Sequence, residues 1–192
     1  MARCIEFNEV EKIEKAMNVF WEKGYNATSM QDLVDAMQIN RSSLYNTIGD
    51  KHQLFMKCIS NYFDNAMIEI KEKVAKEKSA KQAIINIITD KADWIISCDK
   101  GCLGMKTIFE IAPDDCMVRD QMCKNNDIFI DFLAITVQKA MDDGEMDNSE
   151  DASLMAEYIG TSFTGWKQSY ILHGNPIKIK KMAEFLIKNI FK

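Results

Sequence analysis

Apolar residues recur at intervals of three and four along nearly the whole chain, and short polar or glycine-containing turns separate the segments that carry them. This spacing places the apolar residues on one face of an α-helix. It predicts helices at about residues 9–23, 30–37, 41–48, 51–76, 80–97, 101–111, 114–141, 151–173 and 177–191. Only eight Gly and two Pro interrupt 192 residues. We therefore predict an all-α fold of about nine helices.

We expect two domains. The first three helices are expected to share one core and predict an N-terminal domain at residues 1–50. Residues 51–192 predict a larger helical domain, with the helix at residues 51–76 linking the two and the charged stretch at residues 71–81 marking the boundary. We find no basic stretch followed by an apolar segment, as a secretory signal needs, and no run of roughly 18 apolar residues. We therefore expect a cytoplasmic protein without a membrane partner.

The second and third helices lie on either side of a tight turn, an arrangement that predicts a helix-turn-helix. Thr28 or Ser29 is suited to cap the first of them, with Gln31 three residues after Thr28 as in a capping box. Asn40 is suited to cap the second, and Asn8 the helix that begins at about residue 9. Such a pair of helices is typical of DNA-binding domains.

The helix at residues 41–48 has the surface that a DNA major groove requires. Leu44 and Ile48 are four apart and point inward, which leaves polar side chains outside. Ser and Thr bond bases or phosphates, Asn bonds adenine and Arg bonds guanine. The predicted DNA-binding residues are Thr28, Ser29, Arg41, Ser42, Ser43, Tyr45, Asn46, Thr47 and Lys51. A polar, solvated helix between two caps is the alternative interpretation.

The charge of the chain argues mildly against nucleic acid. The net charge is −5, and residues 1–57 carry seven basic against eight acidic residues. Half of these acids lie on the first helix, so a local basic face at Arg41, Lys51 and Lys57 remains compatible with DNA. We expect a shallow salt dependence of binding in comparison with very basic proteins.

The chemistry-bearing residues form no catalytic set, so we predict no enzyme activity and no cofactor. His52, at a helix start, is expected to be exposed, and the pair Asp114 and Asp115 is explained by helix capping. The six cysteines contain no CxxC pair and only two His accompany them, which argues against a zinc site. Cys116 and Cys123, seven apart on one helix, are expected in the core.

A set of residues spread over about the first 60 positions forms a specific signature. It consists of Ala16, Phe20, Gly24, Tyr25, Ala27, Thr28, Ser29, Asp32, Leu33, Ile39 to Tyr45, Gly49 to Lys51, Leu54 and Phe55. This signature resembles the N-terminal domain of the TetR family of bacterial transcriptional regulators. The resemblance implies that the helix at residues 41–48 reads the major groove of double-stranded operator DNA and that the chain is a homodimer. Asn46 and Thr47 depart from the family's usual residues, and Ile48 replaces its usual Phe, so the operator sequence stays open.

Gly101 and Cys102 are similar to a Gly-Cys pair that opens the same helix in one branch of that family. Some members of the branch sense electrophiles or oxidants through this cysteine, and others bind small ligands. A helix N-terminus stabilises a thiolate, and Lys100 and Lys106 add positive charge. A small buried residue under the helix start is the alternative. A small apolar or electrophilic effector is the expected partner. The candidate residues that bind it are Trp94, Cys102, Phe109, Phe129 and Trp166.

The last two helices carry more apolar and small residues than one helix pair needs. Ala156, Gly160, Ser162, Thr164 and Gly165 allow close approach, and Phe163 and Trp166 add bulk. A two-fold four-helix interface is the predicted use, and ordinary packing within the chain is the alternative. We thus expect a ligand-responsive repressor. The competing hypothesis is an all-α small-molecule-binding or interaction protein without DNA binding.

Overall fold

A computed structural model describes residues 9–98 and 100–191, which form nine α-helices and no strand. The all-α prediction is confirmed, and most predicted helix ends agree to within two residues. Asn8, the predicted first cap, lies outside the described residues. The helices are α1 (Glu9–Lys23), α2 (Met30–Met37), α3 (Arg41–Thr47), α4 (Lys51–Val74), α5 (Ala80–Ser97), α6 (Leu103–Glu110), α7 (Cys116–Asp142), α8 (Ala152–His173) and α9 (Pro176–Ile190).

The chain is divided into two compact units. The first comprises Met1–Asn65 and Cys102–Met122, and the second comprises Ala66–Gly101 and Cys123–Lys192. The first unit therefore combines the three short helices with a segment from the middle of the sequence. The predicted boundary between residues 50 and 51 stays a prediction.

The core of the first unit joins α1, α2, α3 and the first half of α4. Phe20, Leu33, Leu44 and Phe55 are almost completely buried there. The Phe20 and Phe55 rings meet edge to face with their centroids 5.0 Å apart, a geometry that aromatic rings favour. This core fixes the base on which the two helices of the predicted helix-turn-helix lie.

The core of the second unit is formed by α5, most of α7, α8 and α9. Ile88, Leu133, Ile159 and Ile179 are completely buried in it. Within the described residues no helix is both long enough and apolar enough to span a membrane.

Helix α7 corrects one expectation from the sequence. Cys116 and Cys123 share a helix face as predicted, but both are exposed rather than in the core. Val118 and Met122, on the opposite face, are buried instead. The spacing of seven showed that the two cysteines lie on the same side of the helix, yet it could not show which side the core covers.

Candidate nucleic-acid interface

Helix α2 begins with a complete capping box, formed by a different pair than the one predicted. Ser29 is the N-cap, its Oγ accepting the Asp32 N–H at 3.1 Å, while the Ser29 N–H donates to Asp32 Oδ2 at 2.9 Å. The Thr28 and Gln31 alternative is therefore wrong. The helix ends at Gln38, which adopts a left-handed conformation with φ of 53°. This reversal allows α3 to follow after two residues.

Helix α3 starts at Asn40, as predicted. The Asn40 side-chain oxygen accepts the Ser43 N–H and the Ser42 hydroxyl, both at 2.7 Å. Because a seven-residue helix has little stability of its own, this cap and the inward anchors Leu44 and Ile48 hold α3 in place.

The outer face of α3 presents five exposed polar side chains: Arg41, Ser42, Tyr45, Asn46 and Thr47. Ser43 is half-buried because its backbone lies against the Asn40 cap. Tyr45 is 46% exposed, and the Arg41 guanidinium lies 5.9 Å from the centre of its ring. The face therefore combines hydrogen-bond donors, acceptors and one cation on a helix that is fixed from below.

The structure removes Thr28 from the predicted DNA-contacting surface. Its side chain is 1% exposed, and its hydroxyl donates to the Gly24 carbonyl at 2.6 Å. Thr28 thus stabilises the turn between α1 and α2. Ser29 is exposed, but its hydroxyl is engaged with Asp32 at 2.8 Å.

Asp32 is held strongly in its charged form. The Lys23 ammonium, 2.6 Å from Asp32 Oδ1, together with the bonds from Ser29, keeps the pKa of this carboxyl well below its ordinary value. The ion pair joins the end of α1 to the first turn of α2, where a negative charge also suits the helix dipole.

Lys51, the predicted phosphate contact, is half-buried at the start of α4. Its ammonium lies 4.4 Å from the centre of the Tyr25 ring, within the range of a cation–π contact. Desolvation lowers the Lys51 pKa, and the nearby Glu110 carboxylate opposes this. Lys57 is paired with Glu9 of α1, so the predicted local basic face is reduced to Arg41 and Lys51.

Sequence reasoning missed three side chains that hold the first unit together. Lys106 Nζ donates to the Trp21 carbonyl at 2.6 Å, and Glu110 accepts backbone N–H groups of the turn after α1. Asp115 caps α7 through the Val118 N–H, as predicted, and also lies 2.8 Å from His52 Nε2. The expectation that His52 is exposed is therefore wrong. Separations of 63 to 85 residues left no local signal for these contacts.

The candidate effector residues lie in different surroundings. Phe129 packs near Phe163, which in turn meets Trp166 edge to face at 5.4 Å, within the core of the second unit. Trp94 in that unit has the ammonium groups of Lys91 and Lys167 near its ring.

In the first unit, Cys102 is the half-buried N-cap of α6, with its sulfur 3.9 Å from the Tyr62 hydroxyl oxygen. Phe109 is 73% exposed, so it is not placed in a cavity wall. The side of α6 that bears Thr107 and Leu103 is the buried one.

Helices α8 and α9 form an open groove of about 630 Å³ on the second unit. Exposed Tyr158, Gly165 and Phe185 line it together with half-buried Ser162. Ala156, Gly160 and Phe163, which were predicted to face a second copy, instead pack within the chain. A Cβ added at Gly160 would lie 2.8 Å from Ile130 Cδ1, which explains the glycine. Trp166 is nearly buried and contributes only one edge of the groove.

Known proteins resemble both the N-terminal sequence and the fold. A family model described as bacterial regulatory proteins, tetR family, matches residues 13–58. YezE of Bacillus subtilis (strain 168), described as an uncharacterized HTH-type transcriptional regulator, is 28% identical over 84% of this chain and 85% of its own. The HTH-type transcriptional repressor ComR of Escherichia coli (strain K12) is 30% identical over 56% of this chain and 53% of its own.

A solved structure supports the same assignment of fold. It is a cysteine mutant of the TetR family transcriptional regulator CifR, complexed with double-strand operator DNA. The TM-score is 0.83 at 20% identity, and the match covers 96% of this chain and 97% of that chain. This similarity shows a shared fold.

Proposed function

We propose that this chain, which belongs to the tetR family of bacterial regulatory proteins and is a DNA-binding transcriptional regulator, works as a homodimeric repressor that a small effector releases from operator DNA. The exposed polar face of α3, anchored from below by Leu44 and Ile48, is the observation that carries the proposal. We infer that it acts in the cytoplasm, where bacterial operators are found.

In the proposed complex, α3 of each subunit enters a major groove. Two such helices have to lie one helical turn of DNA apart, roughly 34–36 Å. We propose that Arg41, Ser42 and Asn46 read base edges and that Tyr45 and Lys51 bond phosphate oxygens. Thr47 adds a hydroxyl at the end of the same face.

Two substitutions test this assignment of contacts. Operator fragments are first selected from the source genome with the purified wild type. Tyr45→Ala and Lys51→Ala should then weaken binding to the selected duplex in a mobility-shift assay, while their circular dichroism spectra stay unchanged. Folded variants that both bind as tightly as the wild type would contradict the assignment.

A second copy of the chain is the proposed occupant of the α8–α9 groove. Phe185 lines this groove and is 67% exposed, and Tyr158 beside it is 52% exposed. Burying such side chains between two subunits stabilises a dimer by about 25 cal/mol for each Å² of apolar surface. The proposal follows the prediction that the last two helices form the interface.

Sedimentation velocity tests the interface with a matched pair of variants. Phe185→Glu would bury a charge at the interface and should yield a monomer that no longer binds the selected duplex. Ile135→Glu is the control, because Ile135 is 71% exposed on α7 and does not line the groove. A wild type that sediments as a monomer would rule out the dimer.

The effector is proposed to be a small apolar or electrophilic molecule. Trp94, Phe129 and Trp166 in the second unit are the candidate contacts for an apolar effector. The half-buried Cys102 in the first unit is the candidate target of an electrophile. Binding of the effector would weaken DNA binding through a coupling free energy of a few kcal/mol between the two binding events. The proposal about Cys102 has a separate test.

N-ethylmaleimide is a suitable electrophilic probe for that test. It should release wild-type protein from the selected duplex, and Cys102→Ser should prevent the release. Cys116→Ser serves as the control because Cys116 is an exposed thiol at the start of α7. Release that persists in Cys102→Ser would exclude this cysteine as the sensor and assign the response to another thiol, such as Cys116 or Cys123.

A further inference from the structure

A carboxylate from α6 occupies the turn between α1 and α2. Glu110 Oε1 accepts the Asn26 N–H at 2.8 Å, and Oε2 accepts the Tyr25 N–H at 3.2 Å. Gly24 precedes these two residues with φ of +82°. Consecutive N–H groups after a left-handed residue form a concavity that binds anions. Here the anion is supplied by the chain itself.

Gly24 provides the space for this carboxylate. A Cβ at position 24 would lie 2.8 Å from Glu110 Oε2 and 3.3 Å from its Cδ. The glycine therefore has two roles, since it ends α1 in a left-handed conformation and leaves room for Glu110.

Two further contacts attach the same segment to α1 and α4, the helices that flank the helix-turn-helix in the sequence. Lys106, one turn before Glu110, bonds the carbonyl of Trp21 near the end of α1. Asp115, five residues after Glu110, contacts His52 in the first turn of α4. Residues 102–122 thus add these three polar contacts to the apolar core that Leu103 and Val118 share with the first unit. Among the three, Glu110 makes the contact with the turn leading into α2.

Tyr25 connects Glu110 to the predicted phosphate contact. Its backbone N–H bonds Glu110, and its ring lies between Phe55, at 4.8 Å, and the Lys51 ammonium, at 4.4 Å. The position of the ring therefore depends on the bond to Glu110 at one end and on core packing at the other. Lys51 lies on the face of that ring.

We propose that Glu110 is a positioning residue for DNA binding, which fixes Tyr25 and, through the Tyr25 ring, holds the Lys51 ammonium where it meets an operator phosphate. The proposal rests on the proposed function, because it takes Lys51 as a phosphate contact. Glu110 itself touches the turn after α1 and not the DNA.

The sign of the expected effect separates this role from simple electrostatics. Removing a negative charge beside a DNA-binding surface increases its attraction for phosphates. Glu110→Gln should nevertheless weaken operator binding, because the amide retains one acceptor oxygen and places an NH₂ group against a backbone N–H. The weakening would have to come from lost positioning, since the change of charge acts in the other direction.

The test is a double-mutant cycle measured by fluorescence anisotropy on the duplex that the wild type selects. Glu110→Gln should bind roughly tenfold more weakly, the loss typical of a hydrogen bond to a charged group. In a Lys51→Ala background the same change should alter affinity by less than about twofold, because the residue through which Glu110 acts is absent. Glu14→Gln, an exposed position on α1, is the charge control and should not weaken binding.

Two results would overturn the proposal. One is a folded Glu110→Gln variant that binds as tightly as the wild type or more tightly. The other is a loss of equal size in both backgrounds, which would assign Glu110 a structural role independent of Lys51. If Glu110→Gln does not fold, Glu110→Asp repeats the cycle, because it keeps the charge but is too short to bond both N–H groups.

Hydrogen exchange separates a failure of the proposal about Glu110 from a failure of the proposed function. The amides of Tyr25 and Asn26 should exchange faster in Glu110→Gln than in the wild type, whether or not DNA is present. Unchanged exchange would show that the carboxylate does not hold the turn and would overturn the proposal. A wild type that selects no duplex would instead contradict the proposed function, and the exchange result would still be informative about Glu110.

Discussion

Replacement of Lys51 by alanine should change the salt dependence of DNA binding by a calculable amount. Each phosphate contact that releases counterions contributes a slope of about 0.9 in a plot of log affinity against log salt concentration. A dimer carries two copies of Lys51, so Lys51→Ala should lower the slope by about 1.8. At roughly 0.1 M salt this corresponds to about eightfold in affinity for each contact and about sixtyfold for two.

The surroundings of Lys51 make these figures an upper limit. The ammonium already lies over the Tyr25 ring and near the Glu110 carboxylate, and part of its charge is compensated before DNA arrives. We therefore expect a decrease of the slope between about 1 and about 1.8. Lys51 is only half-buried, and its ammonium forms no short contact with the Tyr25 ring or the Glu110 carboxylate. Removal of its side chain should therefore leave the fold intact.

Fluorescence anisotropy with the selected duplex over a series of KCl concentrations measures this slope. Lys76→Ala is the matched control, since Lys76 is exposed beyond the end of α4 and carries the same charge. The control should give the wild-type slope. An unchanged slope for Lys51→Ala, together with a normal melting temperature, would show that Lys51 contacts no phosphate.

Three further predictions concern the described structure itself. Leu44→Ala should lower the free energy of unfolding by about 3 kcal/mol in urea denaturation, because it leaves a cavity under α3. Cys116 and Cys123 should react with a thiol reagent in the native protein, whereas Cys58 should react only after denaturation, since burial raises its pKa to about 12. Asp32 contributes stability above its ordinary pKa that is lost on acidification, so Asp32→Asn should flatten the decrease of melting temperature below pH about 4.

The helices and their caps could be predicted because their signals are local. Asn40 is followed by a run with Leu44 and Ile48 on one side, and the structure has the predicted cap and the predicted inward face. Asp50 and Gln53 likewise cap the start of α4 reciprocally, as their spacing indicates. Hydrogen bonds over three or four residues leave a signal in the spacing of the sequence.

The contacts that attach α6 could not be predicted in this way. Glu110 gives no sign in the sequence that its partners are the N–H groups of Tyr25 and Asn26, 84 or 85 residues earlier. Thr28 shows the related difficulty at short range, since a hydroxyl next to a helix start caps the helix or turns inward with equal ease. Which of these occurs depends on the packing of the neighbouring elements.

The outer face of α3 is the part of the proposed interface that most needs a direct measurement. Duplexes should be selected from a random-sequence pool with the wild type and with Asn46→Gln, an exposed position on that face. We predict that both proteins select a two-fold symmetric site with the same half-site spacing, and that Asn46→Gln changes the preferred base at one position in each half-site. Identical sites for the two proteins, or no enriched sequence with the wild type, would contradict the proposal that α3 reads DNA.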